Sequence, residues 1–353
     1  MYLRQRYSQH SRRFDGVRPS RKLLAVSAAT ALLVLGLVAA APGLSSPAAA
    51  ASSASCADSV TSAPTGPATV SAASSHFGRV LVVGSGDQAG CSLYLLTSDQ
   101  LHTLSGANFA CSDNANALGA PCDTVLWPAL LTNGAPIAGP GVNPTLLGTA
   151  TRTDLSYNGT NLGTVQQVTY AGLPLYRFIF DETPGETEGA NLFDPVTSPA
   201  GTWYLVDPSR GRAATGRAQL QPETVGGKTV LAAAMDDDFS LNDSQHTSFP
   251  VYTLSTDRHQ GPDKSACEGE CALNWAPVLT SGPPGAGPGV DQHALGIIVR
   301  SDGSHQVTYN GKPLYQFYGD AYIKGLPYGT ARIDGDGAST AWGTFHAIPL
   351  SSG

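Results

Sequence analysis

QVTYAGLPLYRFIFD (residues 167–181) and QVTYNGKPLYQFYGD (residues 306–320) are nearly identical stretches that begin 139 positions apart. Each contains two short β-prone runs around a glycine, and the Asn-Gly pair at 310–311 is typical of a tight hairpin turn. A proline follows two residues after the glycine in both copies, which places it at an edge or at the start of a strand. The stretch therefore predicts a β-hairpin with aromatic side chains on alternate positions of its second strand.

The hairpin is part of a longer duplication. Two blocks of sequence share landmarks in the same order, and the matched pairs are Tyr94 and Tyr252, Asp99 and Asp257, Cys111 and Cys267, Cys122 and Cys271, Trp127 and Trp275, and Trp203 and Trp342. The spacing from the second motif aspartate to the last tryptophan is the same in both blocks. The sequence predicts two repeat domains, residues 77–206 and 228–350, joined by a linker at 207–227.

Within each block, a tyrosine twice precedes an aspartate by five positions. The four copies are Tyr94–Asp99, Tyr176–Asp181, Tyr252–Asp257 and Tyr315–Asp320. Together with CEGECALNWAPV (267–278), they resemble the secreted repeat of unknown function, a tandem repeat with a Y-x4-D motif in bacterial exported proteins and lipoproteins. The resemblance covers residues 78–206 and 228–347. It implies an exported repeat protein and names no activity.

The motif has two interpretations. In the structural one, the tyrosine packs against the sheet, and the aspartate accepts hydrogen bonds from backbone N–H groups one or two residues further on. In the functional one, the row of phenols and carboxylates binds a cation or a sugar. The structural interpretation is favoured because turn-forming sequence follows the aspartates, and the eight motif residues are kept as candidate binding residues.

The N-terminal fifty residues predict export. Seven basic residues precede an apolar run from Leu23 to Ala41, and Ala48-Ala49-Ala50 is a plausible cleavage site for a signal peptide. An uncleaved membrane anchor is the alternative, and it would be the chain's contact with a membrane. Residues 51–76 are rich in Ala, Ser, Pro and Thr and predict a disordered spacer. The expected location is secreted or at the cell surface.

Charge restricts the partners. The formal net charge is −7, and removal of residues 1–50 leaves 13 basic and 26 acidic side chains, a net charge of −13. Such a field disfavours nucleic acid as a partner. We expect a cell-surface or extracellular ligand.

Six cysteines lie beyond the targeting segment. An even number in an exported chain indicates disulfides, and the repeat pairs Cys267 with Cys271 and Cys111 with Cys122, which leaves Cys56 with Cys91. A thiolate metal site is the alternative for the paired cysteines, and lipidation is the alternative for Cys56.

The chain contains no G-x-S-x-G, H-E-x-x-H, P-loop or EF-hand pattern, and no cofactor is expected. The fold predicted from many Gly and Pro residues and the lack of a helical period is mainly β, with two tandem domains of antiparallel sheet, sandwich or barrel-like, and little helix beyond the targeting segment. A joint assembly of four half-repeats is the alternative.

The predicted function is a non-enzymatic binding or scaffolding module of the cell envelope. The alternatives are an extracellular redox protein linked to a metal or cofactor, and a hydrolase of envelope polymers.

Overall fold

A computed structural model of the chain describes residues 55–112, 121–194, 200–234, 248–257, 265–321 and 332–350. The predicted targeting segment, residues 1–50, lies outside the described residues. The described residues form mainly short strands in several antiparallel sheets, with little helix and no closed barrel, so the prediction of a mainly β fold is confirmed.

The first repeat begins with a long hairpin and continues through short strands. In chain order its strands are β1 Thr69–Ser75, β2 Gly78–Val83, β3 Tyr94–Leu96, β4 Leu131–Thr132, β5 Ile137–Ala138, β6 Leu147–Arg152, β7 Ser156–Tyr157, β8 Thr160–Asn161, β9 Val165–Tyr170, β10 Leu173–Pro174, β11 Phe193–Asp194, β12 Gly201–Asp207 and β13 Arg212–Ala214. Its helical turns are the 3-10 turns Thr97–Leu101 and Pro144–Leu146 and the π turn Cys122–Leu126.

The second repeat follows the same plan. Its strands are β14 Gln219–Val225, β15 Lys228–Ala234, β16 Ser248–Leu254, β17 Trp275–Pro277, β18 Gly285–Ala286, β19 Leu295–Val299, β20 His305–Tyr309, β21 Lys312–Pro313, β22 Tyr315–Phe317, β23 Ser339–Thr340 and β24 Gly343–Ala347. Its helices are α1 Glu270–Asn274, α2 Tyr318–Ala321 and the 3-10 turn Gln292–Ala294.

The predicted hairpins form at both copies of the opening stretch. Strand β9 pairs with β10 and strand β20 pairs with β21, each across a two-residue turn. Both turn residues have positive φ, at 50° and 85° for Ala171-Gly172 and 49° and 77° for Asn310-Gly311. Asn accepts this conformation more readily than Ala, whose Cβ approaches the following carbonyl oxygen.

Two strand pairs depart from the antiparallel prediction. Strand β1 runs parallel to β5, and β14 runs parallel to β18 in the same way. Each parallel contact spans two residues, and a long connection separates the paired strands, as a parallel arrangement requires. The equivalent position of the two contacts supports the duplication.

The last tryptophans of the two blocks do not occupy equivalent places. Trp203 of β12 lies opposite Leu96, whereas Phe345 of β24 lies opposite the matching Leu254. Trp342 instead lies in the turn between β23 and β24, where its backbone N–H donates to the Thr340 hydroxyl. The match of Trp203 with Trp342 was therefore wrong. Strand β23 pairs with β24 as β11 pairs with β12, but two residues separate the strands of the second pair and six separate those of the first. Equal spacing from the aspartate therefore does not give the same register.

Strands extend beyond the predicted domain boundaries. Strand β1 lies within the stretch predicted as a disordered spacer, because its pairing with β2 supplies its backbone hydrogen bonds. Strands β13 and β14 lie within the stretch predicted as a linker, 207–227. These two predicted segments were too long. The buried apolar side chains form separate cores, one around Leu81 and Val168 and another around Leu231 and Val307. Independent folding of the two repeats stays a prediction.

The three predicted disulfides are present. They join Cys56 to Cys91, Cys111 to Cys122, and Cys267 to Cys271, and all six cysteines are buried. The first bridge connects the segment before β1 to the approach to β3. The other two close the loops that begin just after the first motif aspartate of each repeat.

The register of the last strand gives a test by substitution. Phe345 is fully buried against Trp275, so Phe345→Ala should lower the free energy of unfolding by about 3–5 kcal/mol. Trp342 is partly exposed, and Trp342→Ala should cost less than half as much. Denaturant unfolding of both variants measures the difference. A larger loss for Trp342→Ala would contradict the register.

Candidate functional site

The four motif tyrosines meet in two pairs. Tyr94 and Tyr176 lie directly opposite each other on antiparallel segments, and each backbone N–H donates to the other's carbonyl oxygen, at 2.9 and 3.0 Å. Tyr252 and Tyr315 face each other in the same way between β16 and β22. Each repeat therefore has a local two-fold arrangement, with one copy of the motif on either side.

Within each pair, the tyrosine of one motif bonds to the aspartate of the other. The hydroxyl of Tyr94 donates to Asp181 at 2.7 Å, and that of Tyr176 donates to Asp99 at 2.9 Å. The second repeat makes one of these two bonds directly. Tyr252 donates to Asp320, whereas the Tyr315 hydroxyl bonds to the Ser265 hydroxyl at 2.9 Å. Tyr315 interacts electrostatically with Asp257, one oxygen of which is buried without a hydrogen-bond partner among the described residues.

The second oxygen of each aspartate holds a loop. Asp99 accepts from the N–H of Ala110 at 2.9 Å, and Asp181 accepts from the N–H of Glu188 at 2.9 Å. The equivalent bonds of the second repeat run from Ala266 to Asp257 and from Asp334 to Asp320, each at 2.8 Å. The predicted bonds to backbone N–H groups exist, but they reach 7 to 14 residues along the chain and not one or two.

A stack of aromatic rings lies beside the tyrosine pairs. Trp127 stacks between Trp203 and Phe178, with ring centroids 3.8 and 4.2 Å away. Trp275 stacks between Phe345 and Phe317 at 3.6 and 4.4 Å. The tyrosines contact these stacks edge-on, as Tyr94 does with Trp127 at 5.4 Å. Edge-to-face and offset-stacked geometries are the favourable ones for aromatic pairs.

Burial changes the protonation of the motif side chains. It raises the pKa of Asp99 to about 6 and that of Asp320 to about 7, and it raises the pKa of Asp181 well above its ordinary value. Burial and the Asp181 charge together raise the pKa of the Tyr94 hydroxyl. Desolvation disfavours the charged form of each group.

Each repeat also contains a buried arginine that the motifs did not predict. Arg152 donates to Asp123 at 2.5 Å, to Gln167 at 3.0 Å and to the carbonyl oxygen of Cys111 at 3.0 Å. Arg300 makes the matching bonds to Gln306 and to the Cys267 carbonyl, at 2.6 and 2.8 Å. Both arginines stand 148 positions apart beside the disulfide loops, a spacing shared with Trp127 and Trp275 that could have revealed them.

The motif residues are closed to solvent. Tyr94, Tyr176, Tyr252 and Tyr315 are each 0% exposed, and the four motif aspartates are at most 6% exposed. Across the described residues, no group of three or more His, Cys, Asp or Glu side chains is placed to hold a metal ion. The arrangement joins loops to the core. That the eight residues also bind a ligand stays a prediction.

The two hairpin stretches match one family. A family model described as the secreted repeat of unknown function matches residues 159–206 and 296–325, each of which contains one tyrosine–aspartate motif and its hairpin turn. Both stretches are similar to this repeat family. Comparison with curated proteins and with solved structures found no match. In the part of the chain that the structure describes, none of the helices is long and apolar enough to span a membrane.

An open pocket lies where the two repeats meet. Four segments line it, residues 77–79 and 207–215 from the first repeat and 279–281 and 303–305 from the second. We name it the seam pocket. Its volume is about 290 Å³. The ion pair between Arg212 and Asp302, 3.5 Å long, joins the two repeats at its wall.

A second groove at the same junction is smaller and mostly apolar. Its cavity volume is about 70 Å³, and its walls include Tyr204, Phe249 and Phe317. The rings of Phe193 and Tyr318 stack across the junction at 4.8 Å. Neither pocket could be predicted from the sequence, because both combine residues from two repeats that were predicted to be separate domains.

Removing one hydroxyl tests the exchanged bonds. Tyr94→Phe keeps the ring in the aromatic stack but leaves Asp181 without one donor, and it should cost about 1–3 kcal/mol of unfolding free energy. Combining Tyr94→Phe with Asp181→Asn should cost less than the sum of the two single substitutions, because they remove the same bond. Denaturant unfolding of the three variants gives the coupling. Additive costs would show that the bond contributes nothing.

The raised pKa of Asp320 predicts a dependence on pH. The native pKa is about 7 and the ordinary value is 3.8, so between them the folded state holds a proton that the unfolded chain has released. This group therefore contributes stability as the pH falls from about 8 to about 4. Asp320→Asn should flatten the slope of unfolding free energy against pH, whereas the exposed Asp87→Asn should leave it unchanged. An unaltered slope in Asp320→Asn would rule out this contribution.

Proposed function

We propose that this secreted repeat protein is a non-enzymatic extracellular binding module that holds its ligand in the seam pocket. One observation carries the proposal. The four tyrosine–aspartate motifs of the two repeats are buried, and three of the four tyrosine hydroxyls donate to the aspartate of the opposite motif, so the motif serves the core of each repeat. Ligand contact is then assigned to the open surface that the two cores hold in place.

The seam pocket fits this role for two reasons. Its walls are formed by strand ends and turns of both repeats, and rigid strands that present short loops are the usual framework of binding sites. Residues of both repeats are also needed to form the pocket, so a single repeat would not contain it. A concave site at the junction of two folded units is a common position for a ligand.

The hydrolase alternative is less well supported. Paired carboxylates that hydrolyse a polymer must face the bond that breaks, with one acting as acid and the other as base or nucleophile. Asp99 and Asp181 are buried, and each accepts one tyrosine hydroxyl and one backbone N–H. A polymer has no route to these oxygens while those bonds are made.

The redox alternative was suggested by the aromatic-rich repeats. In the fold, these rings stack on one another and on the motif tyrosines. Packing of the core therefore accounts for the aromatic content.

A binding screen with a blocked pocket tests the proposal. The exported protein is titrated with a panel of soluble glycans, peptidoglycan fragments and peptides, and binding is measured by calorimetry. We expect saturable binding of at least one member, abolished by Ser281→Trp, which places an indole in the seam pocket. The exposed Ser85→Trp, outside the pocket, is the matched control and should bind normally.

Two results would refute the module. One is the absence of saturable binding across the panel. The other is chemical conversion of a bound member, detected by mass spectrometry, because that would make the protein an enzyme.

A further inference from the structure

The seam pocket is basic in an acidic protein. Arg79, Arg210 and Arg212 all line it, although acidic residues outnumber basic ones over the whole chain by 27 to 20. Asp207 is part of the lining and Asp302 pairs with Arg212. The guanidinium group of Arg79 donates to the carbonyl oxygen of Ala72, which is not part of the lining, so Arg210 and Arg212 are the arginines whose charge is assigned to the pocket. The side chain of His305 also lines the pocket.

The aspartates are occupied by the pocket's own backbone. Asp207 accepts from the N–H and the hydroxyl of Ser209, at 2.8 and 2.7 Å. Asp302 accepts from the N–H and the hydroxyl of Ser304, at 2.7 and 2.6 Å. Each carboxylate therefore shapes a turn, and Arg210 and Arg212 are the charged donors that we assign to a ligand.

A close backbone contact restricts Arg212. Its guanidinium group lies against Gly303, where a Cβ added to the glycine would come within 3.3 Å of it. Restricting a long side chain before binding reduces the entropy lost on binding. Arg210 is exposed at the tip of the turn that Asp207 holds.

We propose that the seam pocket binds a sugar that carries an oxyanion, either a phosphate or a carboxylate. This inference rests on the proposed function and names the ligand class. The planar guanidinium group binds both oxyanions through two parallel N–H donors. A volume of about 290 Å³ is roughly ten times the share of one water molecule in the liquid, which is more than a single phosphate needs.

Hydroxyl groups and an apolar base suit the sugar ring. The Ser209 and Ser304 hydroxyls donate to aspartates, so their lone pairs face incoming hydroxyl donors. Phe77 and Leu279 add apolar surface to the lining. The pocket thus combines charged donors, hydroxyl acceptors and apolar surface. These groups complement the oxyanion, the hydroxyl groups and the apolar face of a charged sugar.

The experiment uses four probes on the exported protein. Glucose 6-phosphate, glucuronic acid, inorganic phosphate and glucose are titrated by calorimetry at low and high salt. We expect the two anionic sugars to bind more tightly than glucose and more tightly than phosphate, and to weaken as salt rises. Tighter binding of glucose 6-phosphate would assign the phosphate, and tighter binding of glucuronic acid would assign the carboxylate.

Variants locate the site. Arg210→Gln should weaken binding of the anionic sugar by about tenfold or more, as for loss of a charged hydrogen bond. Lys228→Gln removes one exposed positive charge away from the pocket and should change binding by less than about twofold. Arg210 is exposed, so its variant should retain the fold, which circular dichroism checks.

Equal binding of glucose and glucose 6-phosphate, or binding that Arg210→Gln leaves unchanged, would overturn the anionic class. If Ser281→Trp still abolished glucose binding in that case, the seam pocket would remain a binding site, and the proposed function would stand without this inference. Failure of all four probes to bind would overturn the inference. The proposed function would then depend on the wider panel.

Discussion

The exchange of hydrogen bonds between two tyrosine–aspartate motifs is the constraint on which each repeat depends. A buried carboxylate is costly unless its oxygens are bonded, and here one oxygen accepts from a tyrosine hydroxyl while the other accepts from the backbone of a loop. The tyrosine ring in turn supports the aromatic stack. A single residue pair therefore joins the strands, the loop and the core.

The hairpins, the disulfides and the mainly β fold could be predicted because local rules govern them. Turn residues with positive φ are limited to a few amino acids, and an even set of cysteines in an exported chain pairs up. The burial of the tyrosines followed from the alternation of side chains along a strand, which places every second residue on the same face. The partner of each tyrosine did not, because Asp181 belongs to Tyr94 across the two-fold pairing and not to Tyr176, its neighbour in the motif.

Predictions were wrong where equal spacing along the sequence does not correspond to the same register in the sheet. Trp342 follows its aspartate by the same number of residues as Trp203 does. Phe345, three residues further on, nevertheless occupies the stacked position. The seam pocket was missed for another reason. Two of the arginines that line it, Arg210 and Arg212, occur in a stretch rich in small residues, 207–227. Low hydrophobicity indicates exposure to solvent, and it does not distinguish a linker from the wall of a site.

The two-fold exchange also restricts how such a chain can grow or be divided. A half-repeat contains one tyrosine and one aspartate that cannot satisfy each other, since each one's partner lies in the opposite half. Alone, it would leave the aspartate without its tyrosine donor. It would also expose a strand segment whose backbone could pair with the same segment of a second copy. Two identical halves could close on each other as a symmetric pair. The indivisible unit of this architecture is therefore the pair of halves, and an array built from it gains or loses motifs by twos.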